Sequence, residues 1–275
     1  MSGAGSAECI GTDMGTDIGV EYYDKSLPHE RAVAEIQNYA LIDAIDPNCR
    51  YHVGKAKLID KGGEESIIRI PYGGTSLDHL NLYKISISKF LRGMENIFYG
   101  VYDMNSRGFY HLDIKTSNIV FLDYTLKLID FGLSGRARRD NVFRNVYVYW
   151  PYEMRLLKKD PVTDVSNFPL HIYMMDHYVS KVIPKSRRHA IAENYKKLKE
   201  DPNVAETIYR TIDIYSLGIT FHTLMKPLTN SGLCEALKDD LWKLIGAMTD
   251  PDAYNRIDAA EALVLYRQLL RRHKL

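Results

Sequence analysis

The sequence predicts a single α+β domain of two lobes, a small strand-bearing front lobe over residues 1–72 and a large helical back lobe over residues 73–275. Two strand-like segments, Tyr51–Ile59 and Ser66–Pro71, flank a Gly-containing turn in the front part. The pair Gly73-Gly74 then interrupts the pattern and suits a hinge. Beyond this pair, apolar residues recur mostly at helical spacing.

Composition restricts the class of protein. The chain has 275 residues, 45% hydrophobic and 26% charged, with a net charge of +1, so charge gives no argument for nucleic acid or membrane as the main partner. Cys9, Cys49 and Cys234 are too dispersed for a disulfide framework. The first ten residues do not resemble a signal peptide, and no apolar run approaches the ~18 residues of a membrane span. We expect a soluble, monomeric, intracellular protein of the cytoplasm or nucleus.

Two helices are predicted before the central motif. The first covers Pro28–Ile45, with proline tolerated near its start. Its apolar residues, close to helical spacing, are Ala32, Val33, Ile36, Ala40 and Leu41. The second helix delivers the chain to His111, and its apolar face consists of Leu91, Met94, Ile97, Phe98 and Val101.

The central motif is the segment His111–Asn118, followed by Asp130-Phe131-Gly132. Between the two parts, Ile119–Leu122 and Leu126–Ile129 predict short strands around a turn. This order of loop, strand, turn, strand and Asp gathers oxygen and amine groups around one point. Phosphoryl transfer needs such a point, with a carboxylate to orient the attacking hydroxyl and oxygen ligands for magnesium. The alternative is a polar β-turn between strands in which Asp130 is an ordinary turn residue.

These residues resemble the H-R-D-x-x-x-x-N and D-F-G motifs of the protein kinases. The resemblance implies a two-lobed kinase fold with ATP and Mg²⁺ as cofactors. It implies that Asp113 orients the substrate hydroxyl and accepts its proton, and that Lys115 neutralises the transferred phosphate and marks serine/threonine specificity. Asn118 and Asp130 would ligate magnesium. The compact chain is also similar in style to kinases of large DNA viruses, which would place it in the host cell.

Three later segments extend the resemblance to about residues 20–260. Tyr149–Glu153 stands where kinases have A-P-E, with only Glu153 in register. The segment that begins at Asp213 is similar to D-x-W-S-x-G, whose Asp in the family binds the backbone of the catalytic loop. Asn255-Arg256-Ile257 resembles the element whose Arg pairs with the A-P-E glutamate. We therefore expect Glu153 and Arg256 to form a buried ion pair.

The front lobe departs from the family, in which a strand Lys pairs with a helix Glu. Glu35 is the leading candidate for the helix residue and Glu30 the second. Aligning Ile18–Lys25 with the family's V-A-I-K strand puts Glu21 where the Lys belongs, and a Glu there would repel both ATP and Glu35. Lys25 is the leading candidate for the cation, although only ten residues separate it from Glu35. A shifted register or a bulge near Tyr22-Tyr23 would turn it inward.

The front lobe also departs from the family in its glycine-rich, phosphate-covering loop. Gly3 and Gly5 are its candidate remnant, and a flexible terminus is the alternative. Three explanations stay open: a pseudokinase without phosphoryl transfer, an active kinase that uses Lys25, Lys55 or Lys57, and a chain whose true start lies upstream.

The segment after Gly132 gives little sign of control by phosphorylation. Leu112 replaces the Arg that grips a loop phosphate in regulated kinases, and Ser134 is the only serine or threonine between Gly132 and Pro151. Residues 155–210 form a long insertion before Asp213. Its basic residues would either dock an acidic partner or form a solvated helix face.

We interpret the sequence as a protein serine/threonine kinase that transfers the γ-phosphate of ATP, with Mg²⁺, to a protein substrate. The alternative of another class is a pseudokinase that binds protein partners. A third interpretation is a small-molecule kinase of the same fold. Asp213 and the expected Glu153–Arg256 pair favour the protein kinase, since the small-molecule relatives usually lack them.

Overall fold

A three-stranded antiparallel sheet, in the order β1-β3-β2, forms the front lobe: β1 is Tyr22–Pro28, β2 is Lys57–Asp60 and β3 is Glu65–Pro71. The computed structural model describes residues 21–60, 64–137, 148–157 and 188–275. The predicted sites Gly3 and Gly5, and much of the 155–210 insertion, lie outside these residues.

Helix α1, His29–Ile45, follows β1 directly and begins one residue later than predicted. Pro28 fits this junction because its backbone is extended. Proline has no backbone N–H, and none is needed at the last position of an edge strand. The helix buries Ala32, Tyr39 and Ile42 against the core. The carboxylate-bearing Glu35 is buried on the same helix.

The predicted strand Tyr51–Ile59 is wrong in its first half, because β2 begins only at Lys57. The preceding residues pair instead with the back lobe. Val53 N–H donates to the Leu128 carbonyl at 3.0 Å, and Leu128 N–H donates to the Tyr51 carbonyl at 2.8 Å. Tyr51 and Val53 are buried there, so an apolar, β-favouring pattern marks an inter-lobe contact and not the front sheet.

The hinge between the lobes contains Gly74, whose φ of +110° suits glycine. A Cβ at this position would lie 2.2 Å from the Phe121 carbonyl oxygen, so no larger residue fits. The next strand, β4 (Thr75–Ser76), pairs with β6 (Ile119–Leu122), which pairs with β7 (Thr125–Leu128). The hairpin of β6 and β7 matches the predicted strands to within a residue.

The back lobe is built from helices around α2, Ile87–Ser106. All five apolar residues predicted for its inner face are fully buried, which confirms the predicted helix. A short pair, β5 (Phe109–Tyr110) with β8 (Gly135–Arg136), frames the loop that follows. The further helices are α3 (Arg188–Glu200), α4 (Val204–Asn230), α5 (Glu235–Met248) and α6 (Ala259–Arg272). The predicted insertion end at residue 210 therefore lies inside the continuous helix α4.

One apolar core extends from Ala32 and Ile68 in the front lobe to Tyr266 and Leu270 in α6. This core includes Ile119, Leu128 and Phe131. The β6–β7 hairpin and the segment after it are therefore packed against residues of both lobes. Among the described helices, none has an apolar stretch long enough to cross a bilayer.

The Glu153–Arg256 pair predicted from sequence is present. Arg256 Nη1 lies 2.6 Å from Glu153 Oε1, and both side chains are buried. Arg256 also donates to the Thr211 hydroxyl at 3.2 Å and to the Asp250 carbonyl at 2.9 Å. The guanidinium lies 4.9 Å from the centre of the Tyr215 ring. These contacts satisfy a buried charge and fix the segment around Glu153 to the back lobe.

We expect Arg256→Met to lower the free energy of unfolding by about 3–5 kcal/mol, because the Glu153 carboxylate would stay buried without its cation. The matched control is Arg272→Met. Arg272 contacts Asp240 at 2.8 Å, but its side chain is 68% exposed, so its loss should cost less than about 1 kcal/mol. Urea unfolding followed by circular dichroism measures both. Equal losses would contradict a structural role for the buried pair.

Candidate active site

A buried carboxylate on α4, that of Asp213, holds the backbone of the loop that begins at His111. Asp213 Oδ2 accepts the His111 N–H and Oδ1 accepts the Leu112 N–H, each at 2.9 Å. Asn105 donates to Asp213 as well, at 2.9 Å. Leu112 has a φ of +64°, a strained value for a side chain of this size. The expected contact between Asp213 and the loop backbone is therefore present, and it stabilises an unusual backbone conformation.

Asp113 lies at the centre of a small polar network. Its Oδ2 atom accepts from Lys115 Nζ at 2.9 Å and from Asn118 Nδ2 at 2.8 Å. Asn118 Nδ2 also donates to the Asp113 carbonyl at 2.9 Å. The structure thus brings together the three predicted residues of this loop. The short helical turn Thr116–Asn118 provides the reversal that lets Asn118 reach back to Asp113.

His111 and Phe131 join this loop to the segment of Asp130. The His111 ring accepts the Asp113 N–H at Nδ1, 3.3 Å away, and donates from Nε2 to the Ile129 carbonyl at 3.1 Å. These two contacts fit the neutral ring with its hydrogen on Nε2. Phe131 is fully buried, with its ring centre 4.9 Å from that of His111 and 5.1 Å from that of Tyr39. Phe131 is thus locked inward, while Asp130 stays at the cleft.

Lys25 joins the two lobes at the cleft. Its Nζ atom lies 2.9 Å from Glu35 Oε2 and 3.0 Å from Asp130 Oδ1. Burial alone would lower the pKa of Lys25, but Asp130 and Glu35 raise it above its ordinary value. Burial would raise the pKa of Asp130, and the Lys25 ammonium more than compensates, so that the pKa of Asp130 is lowered. Burial raises the pKa of Glu35. Lys25 lowers it and Asp130 raises it, and the net effect is a raised pKa.

The register of β1 determines which residue supplies the cation. Strands β1 and β3 pair without a bulge, and Lys25 stands opposite the fully buried Ile68. Cross-strand neighbours share a face, so Lys25 points to the core side. Glu21 precedes β1 and is exposed, so the alternative that places Glu21 at the cleft is wrong. The expected bulge near Tyr22-Tyr23 is likewise not needed.

The other proposed cations, Lys55 and Lys57, are exposed and do not contact Glu35 or Asp130. Glu30, the second candidate for the helix carboxylate, is exposed as well.

The residues present fit a magnesium ion by the chemistry of their donors. The amide nitrogen of Asn118 donates to Asp113, which leaves the amide oxygen for other partners. Asp130 engages Lys25 and the Gly132 N–H through Oδ1, and within the described chain Oδ2 makes no hydrogen bond. Amide and carboxylate oxygens are the ligands that magnesium prefers, together with phosphate oxygens. Asn118 and Asp130 would hold the ion, which would neutralise phosphate charge when bound.

Several supporting residues were missed by sequence reasoning. Asn38 donates to the Phe131 carbonyl at 2.8 Å, and Trp150 Nε1 donates to the Leu112 carbonyl at 2.6 Å. The hydroxyls of Ser216 and Thr220 donate to Tyr149 and Ile114 carbonyls from α4. Ser134 points inward and donates to the His111 carbonyl. Tyr39, one helical turn after Glu35, accepts the Asp130 N–H at its hydroxyl, 3.4 Å away.

Comparison with known proteins agrees with this geometry. The sequence model of the protein kinase domain matches residues 70–157, so this part of the chain is similar to the protein kinase family. No curated protein matches the chain. The matched range contains Asp113, Lys115, Asn118 and Asp130, whereas the front-lobe Lys25 lies before it. The mixed helices and small antiparallel sheets, together with this match, are consistent with an α+β, kinase-like fold.

We expect Lys25→Met to reduce stability more near pH 7 than near pH 5. Without the ammonium, Glu35 and Asp130 repel each other, and the already raised pKa of Glu35 moves further above its ordinary 4.5. A carboxyl with a raised folded-state pKa costs stability as the pH rises through that window, and the cost disappears below it. The control Lys57→Met alters an exposed lysine. Urea unfolding at both pH values measures the difference, and a loss independent of pH would argue against charge sharing.

Proposed function

We propose that the chain is an active protein serine/threonine kinase that transfers the γ-phosphate of ATP to protein hydroxyls with magnesium. The observation that carries the proposal is the Lys25 ammonium between Glu35 and Asp130. A cation at this place is what phosphoryl transfer requires beyond the metal, and sequence reasoning had left it undecided. The Asp113 network adds the proton acceptor, so the described chain carries both the cation and the carboxylate that the transfer needs.

Each residue has a role that follows from its position. The oxygen of the substrate hydroxyl bonds to the γ-phosphorus, and Asp113 receives the proton of that hydroxyl. At the same time the bond between the γ-phosphorus and the β–γ bridging oxygen breaks, which releases ADP. Lys115 lies 2.9 Å from Asp113, where its ammonium would neutralise the transferred group. Lys25 would contact the other phosphates of ATP. Asn118 and Asp130 would hold magnesium.

The proposed preference for serine and threonine rests on Lys115, the residue that marks this class in the family. Lys115 lies within the described chain, whereas residues 138–147 of the segment after Gly132 lie outside it.

We expect Asp113→Asn to reduce phosphoryl transfer by about 10²–10⁴-fold, because the amide keeps the shape of the carboxylate but cannot take the proton. Asp123→Asn is the matched control, since Asp123 is exposed in the β6–β7 turn. The assay is transfer of labelled γ-phosphate to a generic protein substrate, with unfolding curves to verify the fold. Retention of more than a tenth of the activity would reject Asp113 as the base. An inactive parent protein would favour the pseudokinase.

We expect Asp130→Asn to abolish the part of the ATP-induced thermal shift that requires magnesium. Asn tolerates the φ of +65° at this position, so the change removes mainly the charge. At a ligand concentration about 100 times Kd, binding stabilises the native state by about 2.7 kcal/mol, a shift of several degrees. Asp239→Asn changes an exposed residue in α5 and serves as control. Equal shifts in both variants would place the nucleotide elsewhere.

A further inference from the structure

The turn between α1 and β2 contains a cluster of chemically different side chains that the proposed reaction does not use. Asp43 comes from the last turns of α1, and Cys49 and His52 come from the loop that follows. Asp43 Oδ1, Cys49 Sγ and His52 Nε2 all lie within 4.8 Å of one another. A carboxylate, a thiol and an imidazole at this separation are the three donor types of protein zinc sites.

His52 is oriented by a second carboxylate. The ring is fully buried, and Nδ1 lies 2.8 Å from Asp46 Oδ2. Asp46 Oδ2 also accepts the Tyr51 N–H at 2.9 Å, which fixes the carboxylate itself. His52 Nε2 lies 2.7 Å from Asp43 Oδ1, a hydrogen-bond contact in which an ion would take the place of the hydrogen. A carboxylate behind a metal-binding histidine is the usual arrangement that sets its tautomer and raises its basicity.

Gly54 packs directly against the three donor atoms, where no larger residue would fit. A Cβ at this position would lie 2.4 Å from Asp43 Oδ1, 2.6 Å from Cys49 Sγ and 2.8 Å from His52 Nε2. The three atoms therefore converge on one small volume next to a bare backbone. Cys49 is held in this cluster with a φ of +50°, which side-chain-bearing residues avoid unless their surroundings impose it.

The cluster is accessible from solvent. A cleft of about 640 Å³ is lined by Cys49 and Gly54, together with hinge residues Pro71, Tyr72 and Gly73. Its lining contains no residue of the proposed catalytic set. Cys49 lines this cleft and Asp43 is partly exposed, so an ion could reach both from solvent, whereas His52 is buried.

We propose that Asp43, Cys49 and His52 bind Zn²⁺, with Asp46 as the positioning residue for His52. The mixed set of sulfur, nitrogen and oxygen donors favours zinc over magnesium and calcium, which prefer oxygen ligands alone. Three protein ligands leave the fourth tetrahedral position for water or for a group bound in the cleft.

A bound ion would fix the end of α1 to the loop before β2. Asp43 follows Glu35 by eight residues on this helix, or about 12 Å at 1.5 Å per residue. On the other side, the His52 ring lies edge-on to Phe131 with 6.0 Å between ring centres. The ion would therefore hold together two elements that also position Glu35 and Phe131.

A hydrogen-bond network without metal explains only part of this arrangement. The Asp43–His52–Asp46 contacts would form without any ion, and the Cys49 N–H donates to the Asp46 carbonyl at 2.9 Å, but none of these contacts gives the thiol, the carboxylate and the imidazole a common partner.

The test uses Co²⁺ as a spectroscopic probe on full-length protein stripped of metal with a chelator. We expect one equivalent of Co²⁺ to produce thiolate-to-cobalt charge-transfer absorption, and Zn²⁺ to displace it. Cys49→Ser should abolish this absorption, whereas the matched control Cys234→Ser, which changes an exposed cysteine, should retain it. Asp46→Asn should weaken binding about 10–100-fold without abolishing the absorption, as expected of a residue behind the ligands.

Asp130→Asn separates this site from the proposed magnesium site. The magnesium ligands include no sulfur, so this variant should keep the full cobalt absorption, and the result does not depend on kinase activity. No thiolate band with Co²⁺, or a band that survives Cys49→Ser, would overturn the zinc site and leave the cluster as a hydrogen-bond network.

Discussion

The Asp213 carboxylate is the contact on which the geometry of the cleft depends. It binds the N–H groups of His111 and Leu112, the latter in a left-handed conformation that costs about 1–2 kcal/mol. Hydrogen bonds to a charged group contribute about 1.5–3 kcal/mol each, so the two bonds outweigh this strain. Trp150 adds a third restraint through the Leu112 carbonyl. With the peptide fixed in this way, Asp113 is presented to the cleft while Leu112 packs into a separate apolar cluster of the back lobe.

A second constraint comes from the shared cation. Lys25, Glu35 and Asp130 together carry a net charge of −1, from one ammonium and two carboxylates. Such a set does not attract a polyphosphate by itself, but it favours an approaching cation. This is consistent with the proposed need for magnesium, because the ion would reverse the sign of the site. The same three residues belong to β1, α1 and the segment after β7, so the contact also holds the front lobe against the back lobe.

The sequence predicted best what depends on short spacing. His111 to Asn118 and Asp130 lie on one loop and one hairpin, whose geometry follows from local turn chemistry. The predicted contacts of Asp213 and of Arg256 with Glu153 came from resemblance, since about a hundred residues separate the partners. Features that depend on tertiary contacts were not predicted from the sequence. The segment from Tyr51 was predicted as part of a front-lobe strand, although it pairs with Leu128 across the lobes. The cluster at Cys49 forms only when the end of α1 folds over the following loop.

The choice between Glu21 and Lys25 shows why a strand pattern alone was insufficient. The two residues are four apart, and a period of two places both on the same face. Length decides between them. From Lys25 to the end of β1 is three residues, about 10 Å of strand, and from His29 to Glu35 is six residues, about 9 Å of helix. The helix therefore returns far enough to bring Glu35 level with Lys25. From Glu21 the strand would be about 13 Å longer, and Glu35 would fall short of it. A strand that turns directly into a helix therefore requires about ten residues between the lysine and the glutamate. The separation of ten residues, which in the sequence argued against Lys25, is the separation that brings Lys25 to Glu35.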